Sequence, residues 1–185
     1  MLSTELELAN AVSSVALLIV MLLAVRQDLV ERCVSNVLTF GALAAALAIH
    51  SLAQGLDGFL HAIGGAGVGL VCLIPLYLCK GMGAGDVKLM TAAGAFLGPI
   101  NAFVASLLSL AFGAVLAIVI VVWRVVEMRA ETAGAFTSAG SPSGFRSALA
   151  QTGKERFPYA IAIAIGAVAT MWLSGMLRPL LGSLA

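Results

Sequence analysis

The chain is predicted to be an all-α polytopic membrane protein with six transmembrane helices and both termini on the non-cytoplasmic side. Three observations predict this. Of 185 residues, 61% are hydrophobic and only 10% charged, where a soluble domain carries about a quarter charged; mean hydropathy is +1.08. Apolar runs long enough to span recur along the chain, a crossing helix needing about 20 residues. Nine of the ten Lys and Arg residues fall in alternate connections between those runs, and such a bias sets orientation.

The first run is Leu8 to Val25, closed by Arg26-Gln27-Asp28. Its leading stretch, Met1 to Glu7, is acidic where a secretory signal peptide is basic, so the run is expected to be retained as a helix. The second run covers Asn36 to Leu52, and Gln54 to Gly58 reads as a tight turn. The third, Phe59 to Cys79, carries Gly65 and Gly69, a small-xxx-small pair that admits a neighbouring helix at short range. A fourth, short helix is expected over Val87 to Leu97, stopped by Gly98-Pro99. The fifth, Ile100 to Trp123, has no charge. A polar stretch from about 124 to 157 reads as a cytoplasmic loop, with a weak amphipathic signal at Phe145 and Leu149. Pro158 to Leu181 is the sixth run. One membrane-embedded domain over 1–185 is expected.

Arg26, Arg32, Lys80, Lys88, Arg124, Arg129, Arg146, Lys154 and Arg156 occupy the first, third and fifth connections. Those connections are therefore expected to be cytoplasmic. Asp28 closes the first helix and Asp86 opens the fourth, so both carboxylates belong to the cytoplasmic ends of their helices. A net formal charge of +1 leaves no basic surface for nucleic acid. Cys33, Cys72 and Cys79 contain no Cys-x-x-Cys pair and read as small apolar packing residues. No metal site is expected: His50 and His61 bracket the outer turn with no third ligand in reach, and read as interface histidines. Ser106 and Ser109 lack a basic partner and read as helix-packing hydroxyls.

Gly81 to Met90 concentrates the chemistry. It is a glycine-dense turn that presents Asp86 beside a membrane-bound helix, where an ionisable residue is costly unless it has a function. Gly83 and Gly85 remove side-chain bulk and permit φ > 0, and Asp86 lies at the positive end of a helix dipole. Two close carboxylates titrate as a pair, one taking a proton from water and the other giving one to a carbonyl oxygen. On the residues alone a second reading stays open: Asp is a preferred N-cap, and Asp28 beside Arg26, Glu31 and Arg32 fits a solvated interfacial charge.

Gly83-Ala84-Gly85-Asp86 matches the GxGD signature of intramembrane aspartyl proteases, and its continuation Val87-Lys88-Leu89 resembles the type IV prepilin peptidases. Asp28 to Asn36 is similar to that family's first aspartate motif, and Phe157-Pro158-Tyr159-Ala160 to a Pro-Tyr motif at its last helix. The resemblance implies the GxGD aspartyl protease fold and an aspartic endopeptidase that removes leader peptides from prepilins at the cytoplasmic membrane face. It implies Asp28 and Asp86 as catalytic, with Asn36, Gly83, Gly85, Lys88, Pro158 and Tyr159 binding substrate or supporting the site. Lys88 also reads as a snorkelling interface lysine, and Tyr159 as an aromatic-belt residue like Trp123 and Trp172.

The chain departs from the bifunctional members of that family. Only seven residues precede the first run, no cysteines pair, and Glu31 and Cys33 stand where the family is more basic. It resembles the short, peptidase-only form of tight-adherence (Flp-type) pilus systems, which serve pilus assembly and protein secretion. That form implies no cofactor and no N-methyltransferase activity. The expected partners are a prepilin, with an apolar helix and short basic leader, and the lipid bilayer; the expected location is the bacterial inner membrane. Two other readings are a non-catalytic pilus assembly protein and a small proton- or cation-coupled transporter.

Overall fold

The computed structural model describes residues 2–31, 34–79, 82–134 and 159–176. These residues form four helices and no strand: α1 Leu2–Glu31, α2 Asn36–Leu78, α3 Ala84–Gly134 and α4 Tyr159–Leu173. Three of them are long and apolar enough to cross a membrane, over Asn10–Glu31, Asn36–Leu78 and Ala84–Ile120, and α4 is a shorter apolar helix. Leu22, Val37, Leu52, Ile100 and Trp172 lie on the outside with most of their surface exposed, as expected where lipid replaces water.

α2 and α3 are not straight rods. Gly55 takes φ 63°, ψ −134° inside α2, and Gly98 takes φ 76°, ψ 172° inside α3. These are left-handed values that a side chain resists. The chain reverses at each. A Cβ placed on Gly58 would overlap the carbonyl oxygen of His50, although eight residues of straight helix would separate them by about 12 Å. Likewise the Cβ position of Gly94 lies 3.3 Å from Ala102 Cβ across the Gly98 turn. α2 thus has arms 36–54 and 56–78, and α3 has arms 84–97 and 99–134. The glycine turns legible in the sequence are the points of reversal.

The two hairpins interlock in a fixed register. The second arm of α2 runs antiparallel to the first arm of α3, with His61 seated against Gly98, Gly65 against Gly94, and Gly69 against Met90. Each position of one arm faces the residue whose number complements it to 159. Gly65 and Gly94 meet backbone to backbone, each blocking a Cβ on the other. α4 packs antiparallel on the second arm of α3: Gly166 against Ser109, and Tyr159 against Gly113. Phe96, Leu89, Met90 and Leu97 of α3 form the centre of the core with Leu17, Leu73, Ile163 and Met171.

Three expectations change. His50 is buried, at 3% exposure, rather than at an interface. Its Nε2 lies 3.2 Å from the Phe96 carbonyl oxygen, and its ring centroid lies 5.9 Å from that of His61. The pair ties the Gly55 turn to the Gly98 turn. Helix α3 continues to Gly134, through residues expected to begin a loop at 124. α1 is also longer than its apolar run, reaching Glu31. Ser106 and Ser109 are buried and donate to the carbonyls of Ala102 and Ala105 at 2.7 and 2.6 Å, so they satisfy themselves within their own helix. The Phe145–Leu149 signal and Cys33 lie outside the described residues.

Candidate active site

Asp28 sits in the last turn of α1, half-buried. The backbone N–H of Ala160, second residue of α4, donates to its carboxyl. Oδ2 is buried with no hydrogen-bond partner among the described residues.

Asp86 is the third residue of α3 and Gly83 the residue before the helix. The Gly83 N–H donates to Asp86 Oδ2 at 3.2 Å, while the Gly83 carbonyl accepts from the backbone N–H groups of Asp86 and Val87 at 3.2 and 3.4 Å. This is the returning half of a capping box, so Asp86 is not the cap itself. Neither Gly83 nor Gly85 has positive φ, contrary to expectation. Their value is proximity. A Cβ on Gly83 would stand 3.1 Å from Asp86 Oδ2, and one on Gly85 would stand 3.6 Å from Val34 Cβ. The first turn of α3 therefore lies directly under the α1–α2 connection.

Tyr159 opens α4. Its ring is half-buried and its hydroxyl lies against Gly113, within electrostatic reach of Asp86. The start of α4 thus lies beside the Asp28 end of α1, with Tyr159 within electrostatic reach of Asp86. Gln27, next to Asp28, accepts from the Ser35 N–H, and Gly85, next to Asp86, lies against Val34, so both aspartates stand beside the α1–α2 connection at one end of the bundle. The Gly55 and Gly98 turns lie at the other.

Asn36, first residue of α2, accepts from Lys88 Nζ at 2.9 Å, and the same ammonium stands 5.8 Å above the Phe40 ring. Lys88 is turned inward to α2 rather than away from the protein. Pro158 lies outside the described residues. Trp123 and Trp172 are 65% and 66% exposed, unlike Tyr159.

Sequence reasoning missed Ala160, whose contribution is a backbone N–H and leaves no trace in residue type. It missed Gln27, whose Oε1 accepts the Ser35 N–H at 3.1 Å, and Ser35, whose Oγ accepts the Leu38 N–H at 3.2 Å as N-cap of α2. A serine just before an apolar run is a start signal that was available for Ser35. Among the described residues no group of three or more His, Cys, Asp or Glu converges as a metal site would.

The described residues define an all-helical protein with spans long and apolar enough to cross a membrane and with Asp28 and Asp86 at helix ends that meet the α1–α2 connection. The model of the type IV leader peptidase family matches residues 15–118, more than half of the chain, spanning both aspartates. The chain belongs to the type IV leader peptidase family, and it is a peptidase, a hydrolase of the peptide bond. No curated protein and no solved structure matches it.

Proposed function

We propose that this peptidase cleaves the leader from Flp-type prepilins at the cytoplasmic face of the bacterial inner membrane, with Asp28 and Asp86 as its catalytic pair. The chain crosses the bilayer six times in this reading, as α1, the two arms of α2, the two arms of α3, and α4, with both termini outside. The observation that supports the proposal is that the Asp28 end of α1 and the Asp86 end of α3 both meet the α1–α2 connection, Gln27 accepting from the Ser35 N–H and Gly85 lying against Val34.

The apolar helix of the prepilin lies in the bilayer and brings the scissile bond to the pair. One carboxyl is ionised and the other protonated, since close carboxyls do not both ionise. The ionised member takes a proton from water as the oxygen attacks the carbonyl carbon, and the protonated member gives its proton to the carbonyl oxygen. A neutral gem-diol results. As the C–N bond breaks, the proton taken from water passes to the leaving nitrogen, and a diol hydroxyl returns its proton to the other carboxyl. The pair is restored without metal or covalent intermediate. The Gly83 N–H holds Oδ2 of Asp86 in place during these steps.

Purified protein in detergent, incubated with a candidate Flp prepilin and followed by mass spectrometry, tests this. The expected outcome is release of the leader by wild type and a loss of at least about 10³-fold with either Asp28→Asn or Asp86→Asn, as for removal of a member of a catalytic unit. Undiminished cleavage by both variants would overturn the assignment. Leader release also separates a peptidase from an assembly protein or a transporter, which pH dependence alone does not.

A further inference from the structure

Asp28 and Asp86 lie on different helices, and α1 rests mainly on α2 and α4 rather than on α3. Something must set how far apart the two helix ends stand. Immediately before Asp28, Gln27 Oε1 accepts the backbone N–H of Ser35 at 3.1 Å. Two residues after Asp86, Lys88 Nζ donates to Asn36 Oδ1 at 2.9 Å. Ser35 and Asn36 are adjacent, and both are fixed because Ser35 caps α2, its Oγ accepting the Leu38 N–H at 3.2 Å. Each aspartate-bearing helix thus fastens, through the side chain next to or near its aspartate, to the same two residues of a third helix.

We propose that Gln27 and Lys88 are positioning residues, joined through Ser35 and Asn36 into one polar strut that sets the separation of Asp28 from Asp86. The inference rests on the aspartyl reading above. Its links are in series: Gln27 to Ser35 N–H, Ser35 to Asn36 along the backbone, Asn36 to Lys88. The Phe40 ring, 5.8 Å from Nζ, holds the ammonium over the first turns of α2 from a second side. Val34, buried against Gly85, fills the space beneath the strut. A proline at position 35 fits the backbone there, φ −69° and ψ 142°, yet it lacks the N–H that Gln27 binds. The strut is thus written into this residue.

A series linkage has a signature that ordinary stabilising contacts lack. Breaking either link releases the helix ends, so breaking the second adds nothing. Cleavage kinetics of Gln27→Leu, Lys88→Met and the double variant are the test. Each single variant should lower kcat about tenfold with KM within about twofold, because misplacing catalytic groups weakens the transition state and not the docking of the substrate helix. The double variant should fall about tenfold as well, not about a hundredfold as for independent sites. Gln27→Glu keeps the acceptor, Lys88→Arg keeps the donor, and both should return to within about threefold of wild type. If Lys88→Met fails to insert, Asn36→Ala severs the same link from the other side.

Multiplicative losses in the double variant, wild-type kcat in both single variants, or a loss confined to KM would each overturn the strut. Asp28→Asn and Asp86→Asn run alongside. If both still cleave, the aspartyl reading has failed; if both are dead while the strut variants match wild type, only the strut has failed.

Discussion

Asp86 owes its setting to the smallness of Gly83. The carboxylate curls back on the Gly83 N–H, and the space a Cβ would need is 3.1 Å from Oδ2. Gly83→Ala should therefore shift the carboxylate by a few tenths of an ångström and lower kcat by about three- to tenfold, a shift of that order being enough to misalign reacting groups. Thermal unfolding in detergent should barely move, since the turn itself needs no positive φ. A wild-type rate would show that Oδ2 does not need its present position. At this scale the sequence was half legible. Both aspartates stood out by residue type and by their place at helix ends, and Asn36 and Lys88 only through the resemblance to the prepilin peptidases. The N–H of Ala160 and the orphaned Oδ2 of Asp28 did not, because a backbone donor is common to almost every residue type and solvent exclusion depends on the whole bundle.

At the scale of elements, the Gly65–Gly94 contact fixes how closely the hairpins of α2 and α3 approach. Carbonyl oxygens occupy both Cβ positions, so Gly65→Leu must pry the arms apart. Overpacking of this kind costs about 1–3 kcal/mol and sometimes more. Gly67 faces open space two residues away, and Gly67→Leu is the matched control. Thermal unfolding should show a clear loss for Gly65→Leu and little change for Gly67→Leu; equal effects would remove the contact from the account. The small-xxx-small pair announced this crossing in the sequence, and Gly55 and Gly98-Pro99 announced the reversals. Less visible was the partner of Gly65, since pairing between distant helices depends on register. The continuation of α3 to Gly134 was hidden because its polar residues resemble a loop once hydropathy falls, although backbone hydrogen bonding carries the helix on.

For the whole molecule, the distribution of basic residues predicts an orientation with Asp28, Asp86 and Tyr159 at the cytoplasmic end. Replacing the native cysteines by alanine and adding single cysteines tests that orientation with a membrane-impermeant thiol reagent. Gln54→Cys should react in intact cells, whereas Glu31→Cys and Ala84→Cys should react only from the cytoplasmic side; the reverse pattern would invert the topology. The all-helical membrane character was legible because length and apolarity are global properties, while the meeting of α1 and α3 at residues 34–36 required the fold. The two arms of α3 also differ in reach. Residues 84–97 rise about 21 Å from the Gly98 turn at 1.5 Å per residue, about 9 Å less than a hydrocarbon layer of about 30 Å. A span shorter than the hydrocarbon layer is accommodated by thinning of the bilayer beside it. Hydrolysis inside a membrane needs a supply of its second reactant, and a bilayer thinned beside this short arm brings water closer to Asp86.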